Sequence, residues 1–395
     1  MFGAAGDVYR CRDVGTRAAL HTNETFDGSR ANTSKTRANL NHNWQIVNPL
    51  FIKVVCRCRS IYRDTSIQPR GGTQGRSLYP HEVHPVSESN GEIETPFGES
   101  GGLPVFWRSA PSENPGVAPV LYLHGVPTSS EDWIAPRVHH GSRPLWKRWW
   151  RRKRSTDDWL QAPLYENGFL ERTGGLAPDL PGFGRSGKPG YLTYTIDEYA
   201  SFVERFLDML EVERVRLVVH DWGSVGLAFA QARPERIERL VVSNAVPLLP
   251  GYEWHRTARL WRTPVLGELA MGATSRRLMR RSTAEASASR KPLPEAWIDS
   301  VMRYFDQGTQ RAILRLYRSS PSEVLERAGK HLSTLDMPSL VVWGLRDPFI
   351  PVRFAHAYAQ ALPGSELIEL ADAGHWWWLD RPDAIERVAE FLSAA

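Results

Sequence analysis

Residues 218–226, with the sequence VVHDWGSVG, place an aspartate and a serine three positions apart. The apolar run 215–220 predicts a buried strand, and residues 223–233 have the pattern of a helix that ends before Pro234. A strand, a tight turn and a helix in this order are typical of a nucleophile elbow, which presents one side chain at the tip of the turn.

The size of the neighbouring side chains indicates which residue occupies the tip. An elbow requires small residues two positions before and two positions after the nucleophile, because the turn is crowded. If Ser224 were the nucleophile, Trp222 would occupy the first of these positions, where an indole does not fit. Asp221 has Val219 and Gly223 there instead. The pattern favours Asp221, and the alternative is that Asp221 only caps the following helix.

An attacking aspartate needs two partners further along the chain. Attack on carbon forms an ester, and its hydrolysis needs a histidine base that is held by an acid. His375 lies on a loop after the predicted strand 366–370, and Asp347 lies on a loop after the predicted strand 339–343. The order nucleophile, acid, histidine, each after a separate strand, matches the α/β-hydrolase arrangement.

Two other residues compete with Asp347 for the role of the acid. Asp372 lies on the same loop as His375, so it is poorly placed to point across the site. Asn244 follows the predicted strand 237–243 but carries no charge. Asp347 is therefore the predicted acid.

The order of strands and helices predicts an α/β fold with a mostly parallel central sheet flanked by helices. Apolar runs bounded by Gly, Pro and Asp alternate with helical patterns, such as the strand 120–123 and the helix 195–211, which Thr195 caps. The core is predicted at residues 86–247 and 336–395. Between these parts a helical cap covers residues 248–335, with predicted helices at 254–271, 294–304 and 309–317.

Residues 1–85 differ from the rest in charge and in pattern. They hold 12 Lys and Arg against 6 Asp and Glu, which leaves a near-neutral remainder of 37 basic and 38 acidic residues. They show no sustained period, and they are rich in Arg, Thr, Ser, Asn and Gly, which predicts a disordered extension without a catalytic role. The alternative is upstream sequence that is read in frame from an early start codon.

A second basic stretch, RPLWKRWWRRKR at residues 143–154, lies in a predicted surface insertion at residues 134–158. Basic residues mixed with tryptophans can bind anionic lipid or nucleic acid. A basic surface loop without a dedicated partner is the favoured interpretation, so we expect no nucleic-acid partner.

The cysteines and the hydropathy restrict the location of the protein. Cys11, Cys56 and Cys58 are the 3 cysteines of the chain, and none lies in the predicted core. No disulfide framework is expected there, which favours the cytoplasm. Cys56 and Cys58 have no partners at the spacing of a zinc site, so no metal is predicted. The best apolar run, 44–56, is too short to span a membrane.

Together these motifs resemble the epoxide hydrolase and haloalkane dehalogenase branch of the α/β-hydrolase fold. The resemblance covers the chain from about residue 86 to its end, and the motifs that carry it are HGVP at 124–127, DLPGFGRS at 179–186, HDWG at 220–223, Asp347, and GH at 374–375. It implies a catalytic set of Asp221, Asp347 and His375 without a cofactor. It also implies an oxyanion hole made by the backbone N–H groups of Val126 and Trp222.

The two members of this branch differ in the leaving group. A halide needs N–H donors, for which Trp222 is a candidate, whereas an epoxide oxygen needs an acid that protonates it. One class of dehalogenases in this branch has an asparagine, a side-chain donor, at the position that Val126 occupies in this chain. Val126 offers no side-chain donor. Tyr317 resembles a cap tyrosine of epoxide hydrolases, with Tyr252 and Tyr304 as candidates for a second one. These residues favour an epoxide hydrolase that acts with water on a small hydrophobic substrate.

Other functions remain open at this point. HGVPTSS at 124–130 and VVHDWGS at 218–224 read much like dehalogenase segments, which keeps a haloalkane dehalogenase as the alternative. A cofactor-free oxygenase shares some of the motifs. A non-catalytic binding protein on the same fold is the alternative of another class, although Asp221, Asp347 and His375 are all present. The sequence predicts no oligomeric state.

Overall fold

One sheet of eight strands organises the residues that the computed structural model describes, which are 85–93, 102–112, 116–135 and 168–394. All of them belong to one unit, Gly75–Ala395. The order in the sheet is β1-β2-β4-β3-β5-β6-β7-β8, and only the pairs that involve β2 are antiparallel. The strands are β1 (Ser87–Ile93), β2 (Leu103–Ala110), β3 (Val120–Leu123), β4 (Gly175–Pro178), β5 (Val215–Asp221), β6 (Ile237–Ala245), β7 (Ser339–Gly344) and β8 (Glu366–Leu370).

The central strands are buried along their whole length because helices cover both faces of the sheet. Every residue of β3, β5 and β7 is buried. A parallel sheet that is covered on both faces has no solvated side and needs no alternation of polar residues. The helices around the sheet are α1 (Phe169–Thr173), α2 (Ile196–Met209), α3 (Val225–Ala232), α10 (Arg353–Ala361), α11 (Trp377–Asp380) and α12 (Ala384–Ser393).

Local signals in the sequence explain where these helices begin and end. The Thr195 hydroxyl accepts a hydrogen bond from the Glu198 N–H, and the Glu198 carboxylate accepts one from the Thr195 N–H, so α2 begins with a capping box. Helix α3 ends at Ala232, two residues before Pro234. Proline disfavours the helical conformation of the residue that precedes it.

Six helices lie between β6 and β7 in the described part of the chain, which is the region predicted as the cap. They are α4 (Arg256–Arg262), α5 (Leu266–Gly272), α6 (Arg276–Ala286), α7 (Glu295–Tyr304), α8 (Gln307–Ser319) and α9 (Ser322–Ala328). The expected single helix at 254–271 is wrong, since α4 and α5 are separate. Pro264 and Val265 lie between them, and Val265 has φ 68°. Proline cannot continue the helical hydrogen bonds, so the chain turns there.

The cap helices bind the core through both apolar and polar contacts. Leu314 and Tyr317 of α8 belong to the same buried apolar cluster as Trp222 and Val219 of the core. The Thr309 hydroxyl donates to the Gly182 carbonyl oxygen over 2.9 Å. Cap and sheet therefore share one apolar interior.

Two of the sequence predictions fall largely on residues that the structure does not describe. The predicted extension lies outside except for residue 85, and most of the predicted basic insertion lies outside because residues 136–167 are not described. The three cysteines also fall outside. Among the described residues, no helix combines the length and the apolarity that crossing a bilayer requires.

The predicted α/β architecture, a mostly parallel central sheet flanked by helices, is confirmed. Asp179, in the loop after β4, connects the turn at Ser130 with the loop at Arg185. The Asp179 carboxylate is buried and accepts hydrogen bonds from the Ser130 N–H over 2.7 Å and from the Arg185 N–H over 2.8 Å. Gly184, with φ 51°, has no room for a side chain because a methyl group there would overlap this carboxylate.

Replacement of Asp179 should therefore destabilise the fold. Asp179→Asn keeps one acceptor but turns the other into a donor that faces a backbone N–H, so we expect a loss of about 2 kcal/mol in the free energy of unfolding. Urea unfolding followed by tryptophan fluorescence measures this loss. Asp336→Asn, at an exposed position, is the control and should change stability by less than about 0.5 kcal/mol. Equal stabilities of the two variants would contradict the role of Asp179.

Candidate active site

Asp221 lies at the end of β5, where the strand turns into α3. Its backbone has φ 49° and ψ −121°, a left-handed conformation that costs a non-glycine residue on the order of 1–3 kcal/mol. The short 3-10 turn Trp222–Ser224 follows directly and leads into α3. The Asp221 carbonyl oxygen accepts a hydrogen bond from the Val246 N–H over 2.9 Å, which ties the turn to the end of β6. The strained turn from strand to helix lies at the position where the sequence predicts an elbow.

Two glycines allow the close packing around this turn. A methyl group on Gly223 would overlap the Leu123 carbonyl oxygen of the neighbouring strand β3. A methyl group on Gly125 would overlap the Asp221 side chain itself. Ser224, the rival nucleophile, is fully buried in the turn. Its hydroxyl has no hydrogen-bond partner among the described residues.

Backbone N–H groups bind one oxygen of the Asp221 carboxylate. Asp221 Oδ1 accepts a hydrogen bond from the Val126 N–H over 2.7 Å. Burial raises the pKa of Asp221, while the charge of His375 and hydrogen bonds from the N–H groups of Val126 and Trp222 partly offset that rise. The two predicted oxyanion-hole residues thus both contact this carboxylate.

His375 lies between Asp221 and Asp347. Its Nδ1 is 2.7 Å from Asp347 Oδ2, and its Nε2 is 3.6 Å from Asp221 Oδ2. Burial by itself lowers the pKa of His375, but the charge of Asp347, its hydrogen bond and the charge of Asp221 together raise it. The ring is thus held with Nε2 towards the carboxylate that a substrate would meet.

Asp347 is anchored by its own loop and by Asn244. Asp347 Oδ1 accepts the N–H groups of Phe349 and Ile350 over 2.7 Å and 3.1 Å. Asp347 Oδ2 accepts Asn244 Nδ2 over 2.7 Å in addition to His375. Four donors therefore fix the position of this buried carboxylate.

The two rivals of Asp347 have other roles in the structure. Asp372 is exposed and pairs with Arg381 over 2.8 Å, so it points away from His375. Asn244 is a positioning residue that the sequence reasoning rejected only as an acid. It bridges Asp347 and Gly344, whose N–H donates to Asn244 Oδ1 over 2.8 Å. Its position at the end of β6, the strand next to β7, was the feature of the sequence that could have indicated this contact with Asp347.

The histidine loop is also joined to the cap. The His375 N–H donates to the carbonyl oxygen of Ala286, at the end of α6, over 2.9 Å. The Gly374 N–H donates to Asp380 over 2.9 Å. A cap helix and α11 therefore fix the position of His375.

Aromatic side chains surround Asp221 on the cap side. The Trp222 ring lies 5.4 Å from the Trp254 ring and 5.2 Å from the Tyr317 ring, measured between centroids. Tyr252 lies 5.0 Å from Trp254. Burial and then the charge of Asp221 raise the pKa of both Tyr252 and Tyr317.

Tyr304, the other candidate for a second tyrosine, lies elsewhere. Its ring contacts the guanidinium of Arg303, and its carbonyl oxygen accepts a hydrogen bond from Lys188. Tyr252 is therefore the phenol that accompanies Tyr317. Its signal in the sequence was weak because it precedes the first cap helix, outside any helical pattern.

His124 and His220 are buried beside the site with structural contacts. The Leu180 N–H donates to His124 Nε2 over 2.9 Å, and His124 Nδ1 lies 2.8 Å from the Gly125 carbonyl oxygen. His220 Nδ1 lies 3.0 Å from the Ser243 carbonyl oxygen. Burial lowers the pKa of both histidines, so both are neutral near pH 7. Within the described ranges, no three His, Cys, Asp or Glu side chains could hold a metal ion.

Comparisons with known proteins agree with this architecture. A family model described as the alpha/beta hydrolase fold matches residues 118–382. A haloalkane dehalogenase of Mycolicibacterium paratuberculosis is 31% identical over 302 residues, which are 70% of this chain and 84% of that protein. A cis-3-alkyl-4-alkyloxetan-2-one decarboxylase of Shewanella oneidensis is 29% identical over 55% of this chain and 73% of its own length.

Solved structures share the fold. The haloalkane dehalogenase DbeA from Bradyrhizobium elkani superposes with a TM-score of 0.58 at 22% identity, over 78% of this chain and 98% of that chain. The epoxide hydrolase CorEH gives a TM-score of 0.57 at 20% identity, over the same shares of the two chains. The chain belongs to the α/β-hydrolase fold family, in the branch of epoxide hydrolases and haloalkane dehalogenases.

Proposed function

We propose that the protein is an epoxide hydrolase in which Asp221 attacks an electrophilic carbon of a small hydrophobic substrate. The observation that carries the proposal is the aromatic cluster next to Asp221, in which the Tyr317 ring lies 5.2 Å from Trp222 and the Tyr252 ring lies 5.0 Å from Trp254. Two phenols beside a nucleophile supply the protons that an opening epoxide oxygen needs. A halide leaving group has no use for them.

The first half of the reaction forms an ester. A carboxylate oxygen of Asp221 attacks a ring carbon as the bond from this carbon to the ring oxygen breaks. The ring oxygen takes a proton from Tyr317 or Tyr252 and becomes a hydroxyl group. The aromatic surroundings formed by Trp222, Trp254 and the two tyrosines suit an apolar substrate.

The second half hydrolyses the ester. His375 removes a proton from a water molecule that attacks the carboxyl carbon of Asp221. Asp347 holds the imidazole over 2.7 Å and stabilises its protonated form. The negative charge develops on the oxygen that the Val126 N–H contacts over 2.7 Å. When the tetrahedral intermediate collapses, the bond from the Asp221 carboxyl carbon to the substrate oxygen breaks, and this oxygen takes the remaining proton of the added water, so that a diol leaves. The proton on His375 returns to the phenolate, and one water molecule is consumed per epoxide.

A haloalkane dehalogenase is the second candidate, and a specific observation favours it. The indole N–H groups of Trp222 and Trp376 are buried and have no hydrogen-bond acceptor among the described residues. Unpaired N–H donors suit a halide. Against this candidate, Val126 has no side-chain donor, and the two phenols would have no role. The alternative of another class, a non-catalytic binding protein, would have no use for the strained backbone of Asp221.

Substitution at the two rival nucleophiles tests the mechanism. We expect Asp221→Asn to lower kcat by about 10⁴-fold or more, because an amide does not attack carbon at a useful rate. Ser224→Ala should keep activity within about threefold, since its hydroxyl contacts no reacting group. Steady-state rates are measured with mass spectrometry of each variant to exclude deamidation. Full activity of intact Asp221→Asn would contradict the proposal.

The leaving group is tested by a single turnover in ¹⁸O-water, with styrene oxide and 1-bromobutane offered separately. We expect consumption of styrene oxide and one ¹⁸O atom in the Asp221 carboxylate, because water attacks the ester at its carboxyl carbon. Peptide mass spectrometry locates the label. Consumption of 1-bromobutane alone would identify a dehalogenase, and consumption of neither would favour the binding protein.

The role of the phenols is tested by removing their hydroxyl groups. Tyr317→Phe and Tyr252→Phe should each slow ester formation from styrene oxide by about 10²-fold, the usual effect of a general acid. Tyr304→Phe is the matched control at a tyrosine outside the site and should have no effect. Rapid-quench measurement of the ester gives the rate. Unchanged rates in both site variants would remove the argument for an epoxide.

A further inference from the structure

Asp132 is a buried carboxylate beside the site that the proposed reaction does not use. It belongs to the 3-10 turn Ser130–Trp133, which follows the loop that carries Val126. Its side chain is 3% exposed. Oδ1 accepts a hydrogen bond from Nε1 of Trp297, on α7 of the cap, over 3.3 Å. Oδ2 is buried and has no hydrogen-bond partner in the described part of the chain.

Such a carboxylate costs stability unless a positive charge is close to it. An unsatisfied buried polar group costs about 1–3 kcal/mol, and more when it is charged. Its neighbour in the turn, Glu131, contacts Arg108 over 3.3 Å, whereas Asp132 forms no ion pair within the part of the chain that the structure describes. The Thr128 hydroxyl near it donates to the Gly125 carbonyl oxygen. His375 is therefore the candidate for the compensating charge.

The electrostatic coupling between Asp132 and the site runs in both directions. Burial raises the pKa of Asp132 to about 7, with hydrogen bonds and the charge of His375 acting against that rise and the charge of Asp221 adding to it. In turn, after burial and the effects of Asp347 and Asp221, the charge of Asp132 raises the pKa of His375. Asp132 thus interacts electrostatically with both Asp221 and His375.

The other titratable groups around His375 do not replace Asp132. The His220 ring lies 4.6 Å from the His375 ring, and burial keeps the pKa of His220 well below the ordinary value. Burial lowers the pKa of His255 to about 4. Tyr252 stays protonated because burial raises its pKa. The groups that raise the pKa of His375 through their charge are then the carboxylates of Asp347, Asp221 and Asp132.

The proposed reaction removes one of these charges at a decisive moment. Asp221 loses its negative charge when it becomes an ester. His375 must then accept a proton from water and become positive. Only Asp347 and Asp132 remain to stabilise that positive charge, and the loss of charge at Asp221 also makes ionisation of Asp132 easier.

We propose that Asp132 is a positioning residue that stabilises the protonated form of His375 during hydrolysis of the ester. This inference rests on the proposed function for its catalytic consequence. Asp132 acts through His375 and does not touch the reacting atoms. Trp297 links it to the cap, because the indole N–H favours the ionised carboxylate. The indole of Trp297 also lies 4.7 Å from Trp376, which contacts the His375 ring at 4.6 Å.

The first test needs no substrate. The imidazole of His375 is titrated by NMR in histidine-labelled protein, with the signal assigned by His375→Gln. We expect a lower pKa of His375 in Asp132→Asn, because a neighbouring negative charge is lost. Asp299→Asn, an exposed carboxylate on the same cap helix as Trp297, is the matched control and should leave the titration unchanged. An unchanged His375 titration in folded Asp132→Asn would overturn the proposal.

The second test separates the two half-reactions by rapid quench. Asp132→Asn should form the ester at a rate within about twofold of the natural protein and hydrolyse it about tenfold more slowly above pH 7, so the ester accumulates. Hydrolysis requires neutral His375 and rises as pH passes the pKa of His375. Because that pKa falls in the variant, the rise should move to lower pH. Equal hydrolysis rates and equal pH profiles would contradict the proposal.

Trp297→Phe keeps the test decisive if Asp132→Asn does not fold. It removes the N–H that favours the ionised form of Asp132 and retains an aromatic ring against Trp376. Ester hydrolysis near pH 7 should fall by about threefold and recover at higher pH as Asp132 ionises; a profile identical to that of the natural protein would count against the proposal. If the natural protein forms no ester with either substrate, the proposed function fails, while the NMR titration still decides the role of Asp132.

Discussion

The left-handed backbone at Asp221 is the constraint on which the rest of the site depends. A non-glycine residue at φ 49° is unfavourable by itself, so the surrounding structure must impose it. The fully buried strand β5 fixes one side of the turn, and α3 fixes the other. Gly223 and Gly125 let the neighbouring backbone approach closely enough to hold the carboxylate against the Val126 N–H. The fold thus holds an unfavourable backbone conformation that projects the Asp221 side chain.

Hydrogen bonding divides the buried carboxylates of the site into different roles. Asp347 receives four donors, which fix the orientation of its carboxylate. Asp221 has one oxygen bound by the Val126 N–H and the other facing His375. Asp132 Oδ1 accepts a hydrogen bond from Trp297, and burial raises the pKa of Asp132 to about 7. Similar side chains therefore differ in their surroundings and in the donors that hold them.

The sequence predicted the parts whose signals are local. Strand β8, predicted at 366–370, and helix α2, predicted at 195–211 with Thr195 as its cap, were located closely. Strand β1 was missed because its sequence, SESNGEI, is largely polar and mostly exposed. The break between α4 and α5 was missed although Pro264 marks it. Asp132 carries no local signal, since only the folded chain brings it to Trp297.

The helices between β6 and β7 carry the groups that distinguish the two proposed reactions. In the proposed mechanism Asp221 attacks carbon whether the leaving atom is an oxygen or a halide, because both reactions pass through an ester of its carboxylate. Tyr317 lies on α8, and Tyr252 lies in the segment that leads into these helices. Phenols can give a proton to an oxygen, and a halide requires none. The proposal of an epoxide substrate therefore depends on the inserted helices and the chain that enters them, since Asp221, His375 and Asp347 suit either leaving group.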